Sequence, residues 1–304
     1  MILVVGPGAV GGVLAARWAA AGREVLLLGR SKAEEARLTR RGLSYADASG
    51  RRHGVPRRLR SARGAGRLPC EAAFFCVKSH DTRAAARAAR PWIGPETAVV
   101  GLQNGVGHQR ILRWAFGNAR VVIGSCYFAA DRPEPYHLTH TWGNDVLLAA
   151  GPRNGAALAI AQSLLMEGGW NVHLKNSEDR MLWTKLCFNA ATNPLGALCA
   201  VTNGELADDP ALRELMVKAL REAVAVAKRA GRPPLYSDME SLVVRACRNA
   251  PVQRNSMLQD LMRGRRTEIA AIADPLVGAG RKFGVATPIL DKLARLVRRM
   301  ETSR

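Results

Sequence analysis

The sequence predicts an α/β fold, with a doubly wound, mostly parallel sheet in the N-terminal half followed by an all-helical C-terminal domain. Three observations carry that prediction. The run Ile2-Leu3-Val4-Val5 is short, apolar and β-branched, and the turn Gly6-Pro7-Gly8-Ala9-Val10-Gly11 follows at once, ahead of an apolar helical stretch from Val13 to Ala21. Short apolar strands then alternate with helical stretches to about residue 174, the pattern of a parallel sheet covered on both faces. Beyond that point the alternation stops and helical stretches dominate. A length of 304 residues suits two domains, read here as 1–174 and 175–304.

Taken in order, the glycine turn has the form G-x-G-x-x-G between a strand and a helix, which marks a Rossmann-type dinucleotide site. Gly6 permits the turn, Gly8 lets backbone approach a pyrophosphate, and Gly11 lets the helix lie close to the strand. Pro7, Ala9 and Val10 complete the loop, where unpaired N–H groups and the helix dipole favour an anion. A second strand, Glu24 to Leu28, runs into Gly29-Arg30-Ser31-Lys32. An NAD site usually has an acidic residue at that end to hold the ribose hydroxyls, and Glu24 is at the wrong end. Arg30, with hydroxyl and ammonium neighbours, suits a 2′-phosphate instead, so NADP is the expected cofactor.

Further strands are read at Ala72 to Val77, ending at Lys78; Thr97 to Leu102, ending at Gln103-Asn104-Gly105; Arg120 to Gly124; Asp145 to Ala149; and, at an edge, Trp170 to Leu174. Helices are read from Ser79 to Arg90, stopped by Pro91, and from Asn154 to Gly168. Ligands of such sheets bind beyond the carboxyl ends of the strands, where Lys78 and Asn104 stand. In the second half, helices are read at Ser177 to Ala191, Pro210 to Ala230, Asp238 to Asn249, Met257 to Met262, Arg266 to Ala279 and Ile289 to Glu301.

Composition narrows the function. Hydrophobic residues make up 48% of the chain, enough for a sizeable core. Six cysteines without a C-x-x-C pair, mostly in apolar segments, fit reduced thiols in a cytoplasmic protein better than disulfides or a metal site. No apolar stretch is long enough for a membrane span, and the first strand starts so early that a signal peptide is not expected. The formal net charge is +20, yet only eight of the 45 basic residues are lysine. The arginines are scattered, the densest stretch (Arg51, Arg52, Arg57, Arg58, Arg60, Arg63, Arg67) lacks interleaved aromatics, and it reads as a solvated hairpin or loop rather than a nucleic-acid tract. Such a surface draws anionic ligands.

The most pointed segment of the second half is Trp183 to Leu198. Lys185, Asn189 and Asn193 recur every four residues, which puts them on one stripe of a helix. Asparagine is a poor helix former for a merely solvated face, and polar groups bracketed by Trp183, Leu186, Cys187 and Ala190 are costly to bury without partners. Pro194 disfavours helical geometry at Asn193, so the helix is expected to end or bend there. In a second segment, Asn255 or Ser256 is placed to cap the following helix and Thr267-Glu268 to start the next.

With these residues in place the chain resembles the ketopantoate reductases (2-dehydropantoate 2-reductases) over essentially its whole length. The resemblance rests on Gly6-x-Gly8-Ala9-Val10-Gly11, Arg30, Val77-Lys78, Leu102-Gln103-Asn104-Gly105, Lys185-x-x-x-Asn189-x-x-x-Asn193-Pro194, Asn203, Ser256-Met257-x-Gln259-Asp260 and Thr267-Glu268-Ile269, in that order. It implies hydride transfer from NADPH to 2-dehydropantoate, giving pantoate, with Lys185 as general acid. It implies Asn104, Asn189, Asn193, Asn203 and Ser256 for the substrate. For the cofactor it implies Gly6 to Gly11, Arg30, Lys78, Asn104 and Glu268, with no metal. Ala270 and Asp274-Pro275 depart from the family pattern, and the loop around Tyr127 to Trp142 matches it only loosely. Alternatives are another branched 2-keto acid, an imine, or a non-catalytic NADP-binding regulator or nucleic-acid-binding protein. A monomer or homodimer is expected, with a small-molecule partner and neither membrane nor specific nucleic acid.

Overall fold

The computed structural model describes every residue except 42, 48, 56–57, 67, 135–136, 152 and 303–304, and the side chain at 41. Arg57 and Arg67 of the arginine-dense stretch therefore lie outside the described residues. The chain divides into two compact units, one of Met1–Gln103 with Gly107–Glu178, the other of Asn104–Val106 with Asp179–Arg304.

The first unit is built on strands β1 (Ile2–Val5), β2 (Val25–Leu28), β3 (Ser44–Ala46), β4 (Arg52–Gly54), β5 (Leu59–Ser61), β6 (Ala72–Phe75), β7 (Ala98–Gly101), β8 (Val121–Glu134), β9 (His137–Ala149) and β10 (Asn171–Lys175). The strand order is β4-β3-β9-β8-β7-β6-β1-β2-β5, with β10 beside β9. From β5 across to β8 every pairing is parallel. The four residues of each of β1, β2, β6 and β7 are all buried, which is why those strands read as unbroken apolar runs. Helices α1 (Ala9–Ala20), α2 (Lys32–Arg41), α3 (Thr82–Ala89), α4 (His108–Phe116) and α5 (Gly155–Glu167) connect them. Trp18 of α1 packs on Phe74 of β6, the rings tilted with centroids 4.5 Å apart, and Val4, Leu14, Leu27, Val100 and Leu164 close the same core. The chain moves from β1 to β2, forms β3 and β4 beside β9, comes back as β5 next to β2, and then enters β6 on the other side of β1. That reversal between β1 and β6 is the switch point where open α/β sheets bind ligands.

One expectation changes here and another is extended. The segment Tyr127 to Trp142, read as a loop, instead continues β8 and β9, outside residues 135–136, as a long antiparallel pair whose register shifts at Ala129 and beyond. The shifts, and a Gly143 held at φ +71° against the Tyr127 carbonyl, break the two-residue alternation that would have revealed the strands. The arginine-dense stretch, read as a solvated hairpin or loop, holds a hairpin and in addition a strand of the sheet. Its β4 pairs with β3 as a short hairpin, and β5 joins the sheet edge beside β2.

The second unit comprises α6 (Glu178–Cys199, whose first residue groups with the sheet), α7 (Asn203–Asp208), α8 (Pro210–Arg229), α9 (Met239–Asn249), α10 (Ser256–Met262), α11 (Ile269–Ile272), α12 (Asp274–Phe283) and α13 (Pro288–Thr302). Helix α6 does not end at Asn193. It runs through Pro194 to Cys199 and stops at Ala200, whose φ is +56°. A proline inside a helix costs about 3 kcal/mol, but α6 buries Leu186, Ala190, Leu195 and Ala197 along both sides of it, and that burial outweighs the penalty. The single helix read from Arg266 to Ala279 is two, broken at Ala273, with Pro275 in the first turn of α12 where its missing N–H does no harm.

Candidate active-site elements

In the first unit the glycine turn is built by what its residues lack. Gly6 has φ +88°, and a β-carbon there would stand 2.6 Å from Val77 Cγ1. A β-carbon on Gly11 would stand 2.3 Å from the Gly6 carbonyl oxygen. Gly8, by contrast, is exposed, with nothing within 4 Å of the position a β-carbon would take. It is the N-cap of α1, with no side-chain cap and no acidic residue in the first turn. The first-turn N–H groups thus have no side-chain acceptor among the described residues, a fit for the pyrophosphate of a dinucleotide. Pro7 is buried, while Ala9 and Val10 are half-buried.

Lys78 follows β6, immediately after the Val77 that Gly6 touches. Gln103, at the end of β7, donates from Nε2 to Thr82 Oγ1 at 2.6 Å, and Thr82 donates to the Ser79 carbonyl at 2.8 Å. This chain of bonds fixes the β7 end against the turn after Lys78. The hairpin contributes a residue the sequence did not reveal: Arg132 Nη1 donates to the Pro7 carbonyl at 3.1 Å, placing a guanidinium on the glycine turn. Burial holds the Cys76 thiol, 3.1 Å from a β-carbon on Gly11, well above its ordinary pKa, so it stays protonated and adds no charge.

The tip of β2 is denser than the sequence suggests. The Arg30 guanidinium is 79% exposed and pairs with Asp81 at 3.3 Å. Glu35 is fully buried; it accepts from the Gly29 N–H at 3.1 Å and the Ser61 hydroxyl at 2.6 Å, and pairs with Arg63. Arg63 also donates to the Gly29 carbonyl. This knot ties β2 to β5 and holds Arg30 at the sheet's carboxyl edge.

In the second unit, Asn189 and Asn193 on α6 are 7% and 5% exposed, so the stripe is not a solvated face. Lys185, one turn before Asn189, is half-buried. The Asn189 amide makes no hydrogen bond with any described residue, and Asn193 takes one at Oδ1 from Thr192 at 3.3 Å. An amide this deeply placed is usually satisfied. Burial lifts the neighbouring Cys187 thiol to about 12, so it too stays neutral.

The structure brings Asn203 and Ser256 toward the end of this stripe. The Asn203 N–H donates to Gln253 at 2.9 Å, and Asn255 Nδ2 lies 2.4 Å from a β-carbon position on Gly196, one turn beyond Asn193. Asn255, not Ser256, is the cap of α10, accepting from Leu258 at 2.9 Å. Asn104 and Glu268 form a second neighbourhood. Gly105 packs so tightly on α11 that a β-carbon would stand 2.6 Å from the Ala271 carbonyl, and Ala271 donates to the Glu268 carbonyl, Glu268 being the N-cap of α11. Thr267 accepts from the Ile269 N–H as a helix-start turn. The expected cofactor residues are thus divided, with Gly6 to Gly11, Arg30 and Lys78 in the first unit and Asn104 and Glu268 in the second.

A doubly wound sheet with a dinucleotide turn, on one chain with a helix of recessed amides and a lysine, defines the class of the nicotinamide-nucleotide oxidoreductases. Residues 2–153 match the family profile described as Ketopantoate reductase PanE/ApbA, and residues 179–301 match that of its C-terminal region. The chain belongs to the ketopantoate reductase family. It is 30% identical to the 2-dehydropantoate 2-reductase of Halobacterium salinarum, over 98% of this chain and 97% of that one. Its fold is similar to that of a PanE/ApbA family ketopantoate reductase from Ralstonia eutropha, with a TM-score of 0.86 and 29% identity over 99% of this chain and 98% of that one. It is similar also to D-mandelate dehydrogenase solved with NADH and anilino(oxo)acetate, with a TM-score of 0.87 and 25% identity over 99% and 98% of the two chains. Among the described residues no helix is long and apolar enough to cross a membrane.

Proposed function

We propose that the protein reduces 2-dehydropantoate to pantoate with NADPH, the step that serves pantothenate biosynthesis, and that Lys185 is its general acid. The observation that carries the reading is the recessed Asn189 amide, 7% exposed and without a hydrogen bond to any described residue, one turn from an ammonium group. Such an amide is costly unless a ligand or water completes it.

The reduced nicotinamide supplies a hydride to the keto carbon when bound; the chain supplies the rest. Gly6 to Gly11 receive the pyrophosphate, Arg30 and Lys78 meet the adenosine phosphate, and Asn104 and Glu268 complete the cofactor set. The Lys185 Nζ stabilises negative charge as it grows on the keto oxygen and then delivers the proton there. Hydride and proton together convert the C=O to CH–OH, and the lysine is recharged from solvent. Asn189, Asn193, Asn203 and Ser256 hold the carboxylate and hydroxyl with neutral dipoles, orienting a small acid without adding titratable charge. Trp183, Leu186 and Ala190, all buried around the stripe, lower the local dielectric and strengthen each of these contacts.

A second reading has specific support: another branched or aryl 2-keto acid as the preferred substrate. The likeness to D-mandelate dehydrogenase favours it, as do Ala270 and Asp274 in place of the family residues. The test is NADPH consumption with 2-dehydropantoate beside a panel of branched and aryl 2-keto acids. Preferred turnover of 2-dehydropantoate supports the first reading; preference for another acid moves the substrate; no turnover of any 2-keto acid overturns both.

A further inference from the structure

The tip of β2 holds an acidic group that the linear sequence hides. Glu34 belongs to the first turn of α2, yet its carboxylate turns back to the strand end, where Oε2 accepts the Arg30 N–H at 2.9 Å. The same oxygen lies 2.8 Å from where a β-carbon on Gly29 would stand. It therefore fills the space that the side chain of an acidic residue at the strand end would enter. Among the described residues nothing donates to its second oxygen. Arg30 in turn is not an isolated cation, since Asp81 already takes its guanidinium at 3.3 Å. A 2′-phosphate approaching Arg30 meets two carboxylates, whereas ribose hydroxyls approaching the same tip meet an acceptor in the position from which acidic residues bind them.

We propose that Glu34 sets the cofactor choice of this protein: it accepts the adenosine ribose hydroxyls of NADH and opposes the 2′-phosphate of NADPH, so that both dinucleotides bind with comparable affinity. This rests on the dinucleotide reading above. Glu34 also has a local duty, because its N–H donates to the Ser31 hydroxyl oxygen at 3.1 Å in a variant of the capping box. Glutamine keeps that geometry and removes the charge, so Glu34→Gln separates the two roles.

The experiment is equilibrium binding of NADPH and NADH, read by nicotinamide fluorescence without any keto acid, to the wild type and to Glu34→Gln. Adenosine 2′,5′-bisphosphate and ADP serve as competitors that report the adenosine end alone. The wild type is expected to hold the two dinucleotides within about tenfold of each other, and the variant to bind NADPH about fivefold tighter and NADH about fivefold weaker, the scale of one partly solvated charge at about 5 Å. The competitor ratio should move in step. An unchanged NADPH-to-NADH ratio in a variant of unchanged thermal stability overturns the proposal and leaves the dinucleotide reading intact. Failure of the wild type to bind either dinucleotide overturns both.

Discussion

Gly8 and Asn189 mark opposite ways of making the two proposed binding elements. At Gly8 the chain offers bare backbone, with nothing within 4 Å of a would-be β-carbon, and the close approach depends on Gly6 and Gly11 having no side chains to collide with Val77 and the Gly6 carbonyl. At Asn189 it offers a polar side chain carried into a buried helix, 7% exposed and without a described partner. The first element is cheap to fold, because it carries no polar side chain into the interior. The second carries a standing desolvation cost that only a ligand or water removes. A glycine turn can thus be a stable part of its sheet, while the amide stripe, in the proposed function, trades stability for recognition.

That contrast breaks most easily at its structural supports. Glu35→Ala should cost the first unit about 3 kcal/mol or more, since it leaves the Arg63 guanidinium and the Gly29 N–H without their shared acceptor; denaturant unfolding reads this directly. Gly11→Ala should cost about 3 kcal/mol, because its β-carbon meets a backbone oxygen that cannot move away. Gly8→Ala should leave stability within about 0.5 kcal/mol of wild type while weakening dinucleotide binding about tenfold or more through lost charge-assisted N–H contacts. If Gly8→Ala unfolds the unit instead, the turn is not the open platform described. On the other side, Asn189→Ala should raise the keto acid KM about ten- to hundredfold, leave dinucleotide affinity unchanged, and cause no loss of thermal stability. A marked loss of stability would mean that the amide serves the fold.

The smallest effect concerns pH. Burial holds the His140 pKa below that of an ordinary histidine, against the opposing hydrogen bond to the Gly143 carbonyl. The unfolded chain then binds the proton more readily than the folded one. Stability from this residue is full above about pH 6.5 and declines as pH falls through that value. His140→Phe should flatten that part of the profile, and an unchanged profile would point to another group.

The glycine turn was legible because its geometry is local, fixed by six consecutive residues, and β1, β2, β6 and β7 were legible because full burial leaves an unbroken apolar run. The α6 stripe was legible from its spacing of four residues, but the helix end was not. Proline's local cost reads directly from the sequence, whereas the burial of Leu195 and Ala197 that overrides it is a tertiary fact. Glu34 and Arg132 escaped for a related reason. Each reaches the carboxyl end of the sheet from an element whose own pattern is unremarked: a capping turn for Glu34, and a hairpin broken by register shifts for Arg132.

The most direct test of the account is single-turnover hydride transfer from NADPH to 2-dehydropantoate in wild type and Lys185→Ala, with NADPH affinity measured on the same samples. The account predicts a rate lower by about a hundredfold to ten-thousandfold in the variant, the usual contribution of a positioned general acid, with NADPH binding and thermal stability unchanged. A variant that transfers hydride at the wild-type rate would contradict it.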